Sequence, residues 1–163
     1  MESLLALAAS HPTRTYAHGE ILIGQGLEGG DLFILESGQL AVERDGVRIA
    51  TITTPGAVIG EMSVVLGTVS SATVQAEKPS AVRVIRNARQ ALRTDPELTF
   101  RLAWLMANRL DATSAYLVQL TKDHAGKPEG GLLGRILSSL NSPDDRRYAT
   151  VSRGDMFGDA PSA

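Results

Sequence analysis

Leu40-Ala41-Val42-Glu43-Arg44-Asp45-Gly46-Val47-Arg48-Ile49-Ala50-Thr51-Ile52 holds two short apolar runs, Leu40 to Glu43 and Val47 to Ile52, joined through Asp45-Gly46. A two-residue hairpin turn needs positive φ at its central positions, which Asp and Gly accept readily, so the stretch is expected to be an antiparallel hairpin. The same texture continues on both sides. Runs at Ile21 to Ile23, Leu32 to Leu35, Ala72 to Ala76 and Ala81 to Ile85 alternate with breaks at His18-Gly19, Gly29-Gly30, Ser37-Gly38 and Pro55-Gly56. Short strands spaced by glycine-bearing turns form a locally connected antiparallel roll, because a parallel sheet would need long helical crossovers between them.

Helical patterns flank this region. Met1-Glu2-Ser3-Leu4-Leu5-Ala6-Leu7-Ala8-Ala9 is apolar but carries an acid where a signal peptide carries positive charge, and is expected to be a short helix. After Ile85, Ala88 and Leu92 stand four apart on a second short helical segment. Asp95-Pro96-Glu97 then opens a longer helix, expected to run to about Lys122. Asp95 caps the free amides, Pro96 sits where its missing N–H costs nothing, and Glu97 suits the positive end of the dipole. Along it Ala103, Met106, Leu110, Thr113, Leu117 and Leu120 are spaced three, four, three, four and three, a heptad seam. Leu98, Leu102 and Leu105, with Trp104, mark a neighbouring face. One face is expected to pack on the roll and the seam to meet a second copy, giving a homodimer through residues 103–120; the alternative buries both stripes in the same domain.

The fold class is therefore mainly β with helices: a jelly-roll-like antiparallel β-roll flanked by a short N-terminal helix and a long C-terminal dimer helix, over residues 1–122. Residues 123–163 include Lys127-Pro128-Glu129-Gly130-Gly131 and the segment Leu132 to Leu140, and are expected to form a linker, a short helix and a mobile tail.

Composition narrows the function. A net charge of −2 supplies none of the basic excess that a nucleic-acid surface requires, so no direct nucleic-acid partner is expected. The absence of cysteine excludes disulfides, thiolate metal sites and cysteine nucleophiles. No apolar run approaches the ~18 residues of a membrane span, and a cytoplasmic location is expected. His11, His18 and His124 are scattered with no carboxylate at ligand spacing, which gives no metal site. No nucleophile elbow, zinc-protease helix or Walker loop is present, so neither an enzyme nor a cofactor is expected.

The stretch that carries a site is Ile59-Gly60-Glu61-Met62-Ser63-Val64-Val65-Leu66-Gly67-Thr68-Val69-Ser70-Ser71-Ala72-Thr73-Val74. A glycine opening a short helical turn lets backbone amides approach an anion, and those of Glu61 to Ser63 would face it. Glu61 can accept from a sugar hydroxyl, while Ser70 and Ser71 can donate to phosphate oxygens. An ordinary turn with a solvated glutamate is the alternative.

At these residues the sequence resembles the cyclic nucleotide-binding domain family, whose phosphate-binding cassette is a glycine-glutamate turn, a short helix and a proline-arginine-alanine approach. The resemblance runs from Thr13 to Lys122 and includes the glycine-rich turn before Asp31-Leu32-Phe33-Ile34-Leu35-Glu36-Ser37-Gly38. It implies a ligand site of Gly60, Glu61, Met62, Ser63, Ser70, Ser71 and Ala72, with cyclic AMP or cyclic GMP as candidate ligand. Arg109-Leu110-Asp111-Ala112-Thr113-Ser114 resembles the dimer helix of the bacterial catabolite activator proteins. Carried over, Thr113 faces the base of its own ligand and Ser114 the base held by the partner; otherwise Thr113 only sets helix register.

The chain also departs from the family. Ser70 stands where the resemblance places a phosphate-pairing arginine, nine positions after Glu61, and Val69 replaces the preceding proline. A charge-assisted hydrogen bond is worth ~1.5–3 kcal/mol, so weak binding is expected. Lys78 and Arg83 are the candidates to supply a replacement cation. Gly134-Arg135-Ile136-Leu137-Ser138-Ser139-Leu140 faintly resembles the first helix of the activators' winged helix-turn-helix domain, but only 23 residues follow. Output is thus expected through an unidentified protein partner, unless the chain is the sensor fragment of a transcription regulator. The rival expectation is a degenerate roll that binds no nucleotide and acts as a dimerisation or protein-interaction scaffold.

Overall fold

The structure, a computed structural model, describes residues 3–124. Two strands of 13 residues organise it: β3 (Leu32–Arg44) and β6 (Thr73–Ile85). They pair antiparallel from Leu32 opposite Ile85 through Glu43 opposite Thr73. On the outer edge of β6 lie β1 (Thr13–Tyr16) and β2 (Ile21–Ile23), and on the outer edge of β3 lie β4 (Val47–Ile52) and β5 (Val58–Ile59). All these pairings are antiparallel, as the glycine-punctuated runs imply.

From sequence, β3 and β6 are each expected as two runs; the ladder instead passes through both breaks. Gly38 takes φ +103° and the register shifts on either side of it, so the strand bends without ending. Opposite it, Pro79 lacks an N–H, and Ser80 fills the gap: the Gln39 N–H donates to Ser80 Oγ at 3.0 Å, and that hydroxyl donates to the Lys78 carbonyl at 2.7 Å. A Cβ on Gly38 would stand under 3.0 Å from Ser80 Oγ, Ser80 Cα and the Pro79 carbonyl. Only glycine fits there. The expected hairpin is present, with Asp45 at φ +52° and Gly46 at φ +76°.

Alternation along β3 divides two apolar sets. Phe33 and Leu35 join Tyr16, Leu40, Ile59, Val74, Ala76, Val82 and Val84 in the core of the roll. Leu32 and Ile34, on the other face, are buried as well, as are Leu4, Ala8, Ala88, Leu98 and Leu102 of the helical segments. Helix α1 (Leu4–Leu7) is capped by Ser3 and packs against β3, and the connection that follows it is tied to the sheet through Arg83. Arg83 donates to Glu36 Oε1 at 2.7 Å and to the carbonyls of Ala9 and His11 at 3.1 and 2.8 Å.

Helix α2 (Glu61–Leu66) follows β5, and α3 (Ala88–Thr94) follows β6. Helix α4 (Pro96–Asp123) starts as expected: Asp95 Oδ1 accepts from the Leu98 N–H at 3.0 Å. Residues up to Leu102 and those from Ala103 onward form two separate units. Leu98 and Leu102 of the neighbouring face are buried, whereas Leu110 of the seam is 51% exposed. The linker, short helix and tail expected after the long helix lie outside the described residues, apart from its last turn. Among the described residues no helix is long and apolar enough to cross a membrane.

Across the hairpin side of the sheet, Arg48 of β4 ion-pairs with Glu77 of β6, and Gln39 Nε2 of β3 donates to the same carboxylate at 2.7 Å. The Arg48 hydrogen bond, and then that from Gln39, hold the Glu77 carboxyl below its ordinary value. A pKa lowered by folding stabilises the native state above the unfolded carboxyl pKa, and the contribution disappears as pH falls through the folded value. Arg48→Ala is therefore expected to move the Glu77 titration, followed by carboxyl NMR, upward. The stability gap between wild type and variant should be present at neutral pH and close in acid; a Glu77 titration unchanged by the substitution would contradict this.

Candidate functional site

Gly60 connects β5 to α2 with φ +90° and ψ 0°, and a Cβ there would meet the Asp31 carbonyl at 3.1 Å and Ile23 Cδ1 at 3.2 Å. The turn is thus closed to other residues by backbone conformation and by contact. At the far end of α2, Gly67 and Thr68 both donate from their amides to the Ser63 carbonyl, which stops the helix and sends the chain back toward β6.

On this return, Ser70 is clamped by the loop between β2 and β3. The Gly26 N–H donates to the Ser70 carbonyl at 2.8 Å, and the Ser70 N–H donates to the Leu27 carbonyl at 2.9 Å. The same loop brings Gly29 between two hydroxyls: a Cβ at Gly29 would lie 3.4 Å from Ser63 Oγ and 3.5 Å from Ser70 Oγ. Ser63 Oγ donates to the Gly60 carbonyl at 3.0 Å.

Burial singles this corner out. The buried polar or charged residues among those described are Glu61, Ser63, Ser70 and Ser80. Ser80 serves the bend at Gly38; the other three, at 8%, 8% and 6% exposure, converge on the turn, helix and return from Gly60 to Ser70. Polar groups are costly to remove from water unless they are hydrogen-bonded, so their concentration at one corner makes it the candidate site.

The expected site residues separate accordingly. Gly60, Glu61, Ser63 and Ser70 come together. Met62 is 49% exposed, Ser71 is exposed and Ala72 is half-buried, so the Met62 and Ser71 side chains lie toward solvent. Thr113 and Ser114 belong to the second unit, where Thr113 Oγ1 donates back to the Arg109 carbonyl of its own helix at 2.7 Å and Ser114 is half-buried.

Neither cation considered from sequence fills the arginine position. Arg83 is committed to Glu36 and the Ala9 and His11 carbonyls of the α1–β1 connection, and Lys78 stands exposed on β6 opposite Gln39. A different cation borders the cassette. Arg89 of α3 donates to the Val64 carbonyl at 3.3 Å, and its guanidinium lies against Gly67, at the C-terminal end of α2. Arg89 follows Gly67 by 22 positions, and only the fold reveals their proximity.

Residues 13–93 match the family model of the cyclic nucleotide-binding domain. This part of the chain belongs to that family. The cyclic nucleotide-binding domain is similar to the cAMP-dependent protein kinase regulatory subunit of Schizosaccharomyces pombe, 31% identical over 99 residues that cover 55% of this chain and 24% of that protein. It is similar also to Glutaminase 2 of Bradyrhizobium diazoefficiens, 33% identical over 121 residues, 70% of this chain and 19% of that protein. Among solved structures, the Thermus thermophilus catabolite activator protein superposes with a TM-score of 0.62 at 27% identity, over 75% of this chain and 61% of that one. The chain spans a quarter or less of the two curated relatives.

The two glycines of this corner should respond differently to a methyl group. Gly60→Ala is expected to cost ~1–3 kcal/mol because its positive φ and close contacts both resist a Cβ. Gly29→Ala meets only ordinary contacts and should stay within ~0.5 kcal/mol of wild type in urea unfolding. A Gly29→Ala loss as large as that at Gly60 would show that the loop itself demands glycine.

Proposed function

We propose that the chain is a ligand-sensing regulatory module that performs no chemistry, binds a cyclic nucleotide weakly, and reports the bound state through the long helix. The convergence of buried Glu61, Ser63 and Ser70 on the cassette of a cyclic nucleotide-binding domain carries this reading. Glu61 would accept from ribose hydroxyls, and the Ser70 and Ser71 hydroxyls would donate to phosphate oxygens. Gly60, Met62 and Ala72 would line the site through their backbone, and Thr113 with Ser114 would meet the base. With a neutral hydroxyl in place of the arginine, the phosphate loses a forked charge-assisted contact, a deficit of ~1.5–3 kcal/mol.

Signalling follows if the ligand binds one arrangement of roll and helices better than another, since a ligand shifts an equilibrium only by its differential affinity. A second copy is the partner we assign to the Ala103 to Leu120 seam. Its heptad spacing and the exposure of Leu110 support the pairing. A cytoplasmic location, with an unidentified protein downstream, completes the proposal.

One observation favours a second reading, that of a scaffold. Met62, Val65, Leu66 and Val69 are all more than two-fifths exposed around α2, an apolar surface suited to a protein partner.

Calorimetric titration of wild type and Ser70→Arg with cyclic AMP and cyclic GMP separates the two. Restoring the cation is expected to tighten binding about ten- to a hundredfold. A folded Ser70→Arg protein with no measurable affinity for either nucleotide would leave the scaffold. Dimerisation is checked by sedimentation velocity at micromolar concentration. The wild type is expected to run as a dimer and the Leu110→Glu, Leu117→Glu variant as a monomer; a monomeric wild type would remove the seam's role.

A further inference from the structure

We propose that a cavity where β1 meets the start of β3 and the end of β6 is a second ligand site, which takes a small organic carboxylate with an apolar body. Its volume is about 370 Å³, and its walls include Pro12, Arg14, Asp31, Phe33, Val84 and Arg86. None of these belongs to the cassette, and the inference does not depend on what the cassette binds.

The strand register explains how these residues meet. Phe33 stands opposite Val84, and Arg14 stands opposite Val82, two places before Val84. Side chains two apart share a face, so Arg14 lies on the core face of the roll with Phe33 and Val84. Asp31 precedes Phe33 by two and Arg86 follows Val84 by two, while the Val84 N–H donates to the Pro12 carbonyl at 2.9 Å. The apolar face thus runs out at a rim of three charged residues, with buried Phe33 and Val84 as the floor.

The rim cations are held in place but not spent. Among the described residues, neither the Arg14 nor the Arg86 guanidinium donates to a protein acceptor. Arg14 lies over the Tyr16 ring, 4.8 Å from its centre. Arg86 is set by the turn that follows it. There Asn87 takes φ +47°, its N–H donates to Asp31 Oδ1 at 3.0 Å, and the Ala88 N–H donates to the Gly30 carbonyl at 2.7 Å. Arg83, between Val82 and Val84 on the opposite face, is the contrast, since its guanidinium is taken up by Glu36 and two backbone carbonyls.

Two guanidiniums and one carboxylate leave the rim with one positive charge in excess, which suits a monoanion. An arginine fork matches a carboxylate through two parallel hydrogen bonds. A dianionic phosphate would bring toward Asp31 a second negative charge that the rim does not balance. Ion pairs at an exposed rim contribute little alone, so the apolar floor has to add to the affinity, which calls for an aryl or branched aliphatic body. The cavity also touches the cassette's first turn: a Cβ on Gly60 would lie 3.1 Å from the Asp31 carbonyl and 3.9 Å from Phe33 Cδ2. The cassette's return joins β6 at Thr73, the opposite end of the strand from Arg86.

The test is an NMR titration of the full chain that follows the Val84 methyl and Asn87 amide signals. The probes are benzoate, uncharged benzamide, and phenyl phosphate at a pH where it is a dianion. Benzoate is expected to shift both signals saturably at millimolar concentration and to bind about tenfold more tightly than either other probe. Arg14→Gln combined with Arg86→Gln should weaken benzoate about tenfold, and Arg86→Gln alone, which leaves the contact with Tyr16 in place, about threefold. Circular dichroism checks that both variants fold. The inference is overturned by the absence of a saturable benzoate shift, by benzamide binding as tightly as benzoate, or by phenyl phosphate binding more tightly. Undiminished benzoate affinity in either folded variant overturns it too, as do shifts centred on Ser63 and Ser70, which would place the acid in the cassette.

Discussion

The antiparallel ladder between β3 and β6 carries the rest of the molecule. Each strand runs for 13 residues, and among the described residues every other strand hydrogen-bonds to one of the two: β1 and β2 to β6, β4 and β5 to β3. So long a ladder encloses a core only if it bends, and the bend is built from complementary exceptions on the two strands. Gly38 adopts a backbone conformation closed to side chains, while Pro79 and Ser80 opposite it release and then reuse the ladder's hydrogen bonds. The apolar set of Tyr16, Phe33, Leu35, Leu40, Val82 and Val84 is gathered on one side as a result.

The cassette inherits its geometry from that ladder. It leaves β3's partner β5, turns at Gly60, and re-enters at β6, so both of its ends are fixed by the paired strands. Its middle is fixed by the reciprocal amide bonds between Ser70 and the loop at Gly26 and Leu27. Side chains on so constrained a segment keep their hydrogen-bonding direction, and direction decides which ligands they can serve. A hydroxyl that has already given its hydrogen to a neighbouring carbonyl recognises donors. A cation on the same segment would recognise anions, whereas Ser70 offers a neutral hydroxyl.

Arg83 and Arg89 illustrate how the same residue type acquires unrelated tasks. Arg83 faces the α1–β1 connection and satisfies two carbonyls besides Glu36, so it is a structural tie. Arg89 reaches from α3 to the last turn of α2, where exposed carbonyls and the helix dipole favour a cation. It joins the cassette to the helical segment that follows the roll.

Local rules determined what could be read from the chain alone. Asp45-Gly46 requires positive φ at two successive residues, Asp95-Pro96-Glu97 combines a cap, a permitted proline and a dipole-matched acid, and both produced the expected hairpin and helix start. The family resemblance was likewise legible in contiguous stretches, Ile59 to Val74 and the glycine-rich turn before Asp31. Strand continuity was not legible, because Gly38 and Pro79 terminate a strand or bend one depending on what stands opposite. Nor was β1, whose Thr13-Arg14-Thr15-Tyr16 buries a single side chain and carries no apolar run. At the site, sequence placed Met62, Ser63, Ser70 and Ser71 in one stretch with nothing to say which of them is buried. Only the tertiary structure buried Ser63 and Ser70 around Gly29 and turned the Met62 and Ser71 side chains outward, because burial depends on a loop some forty residues earlier in the chain. The destinations of Arg83 and Arg89 were decided in the same way, since a long side chain pairs with whatever acceptors the folded backbone brings within its reach.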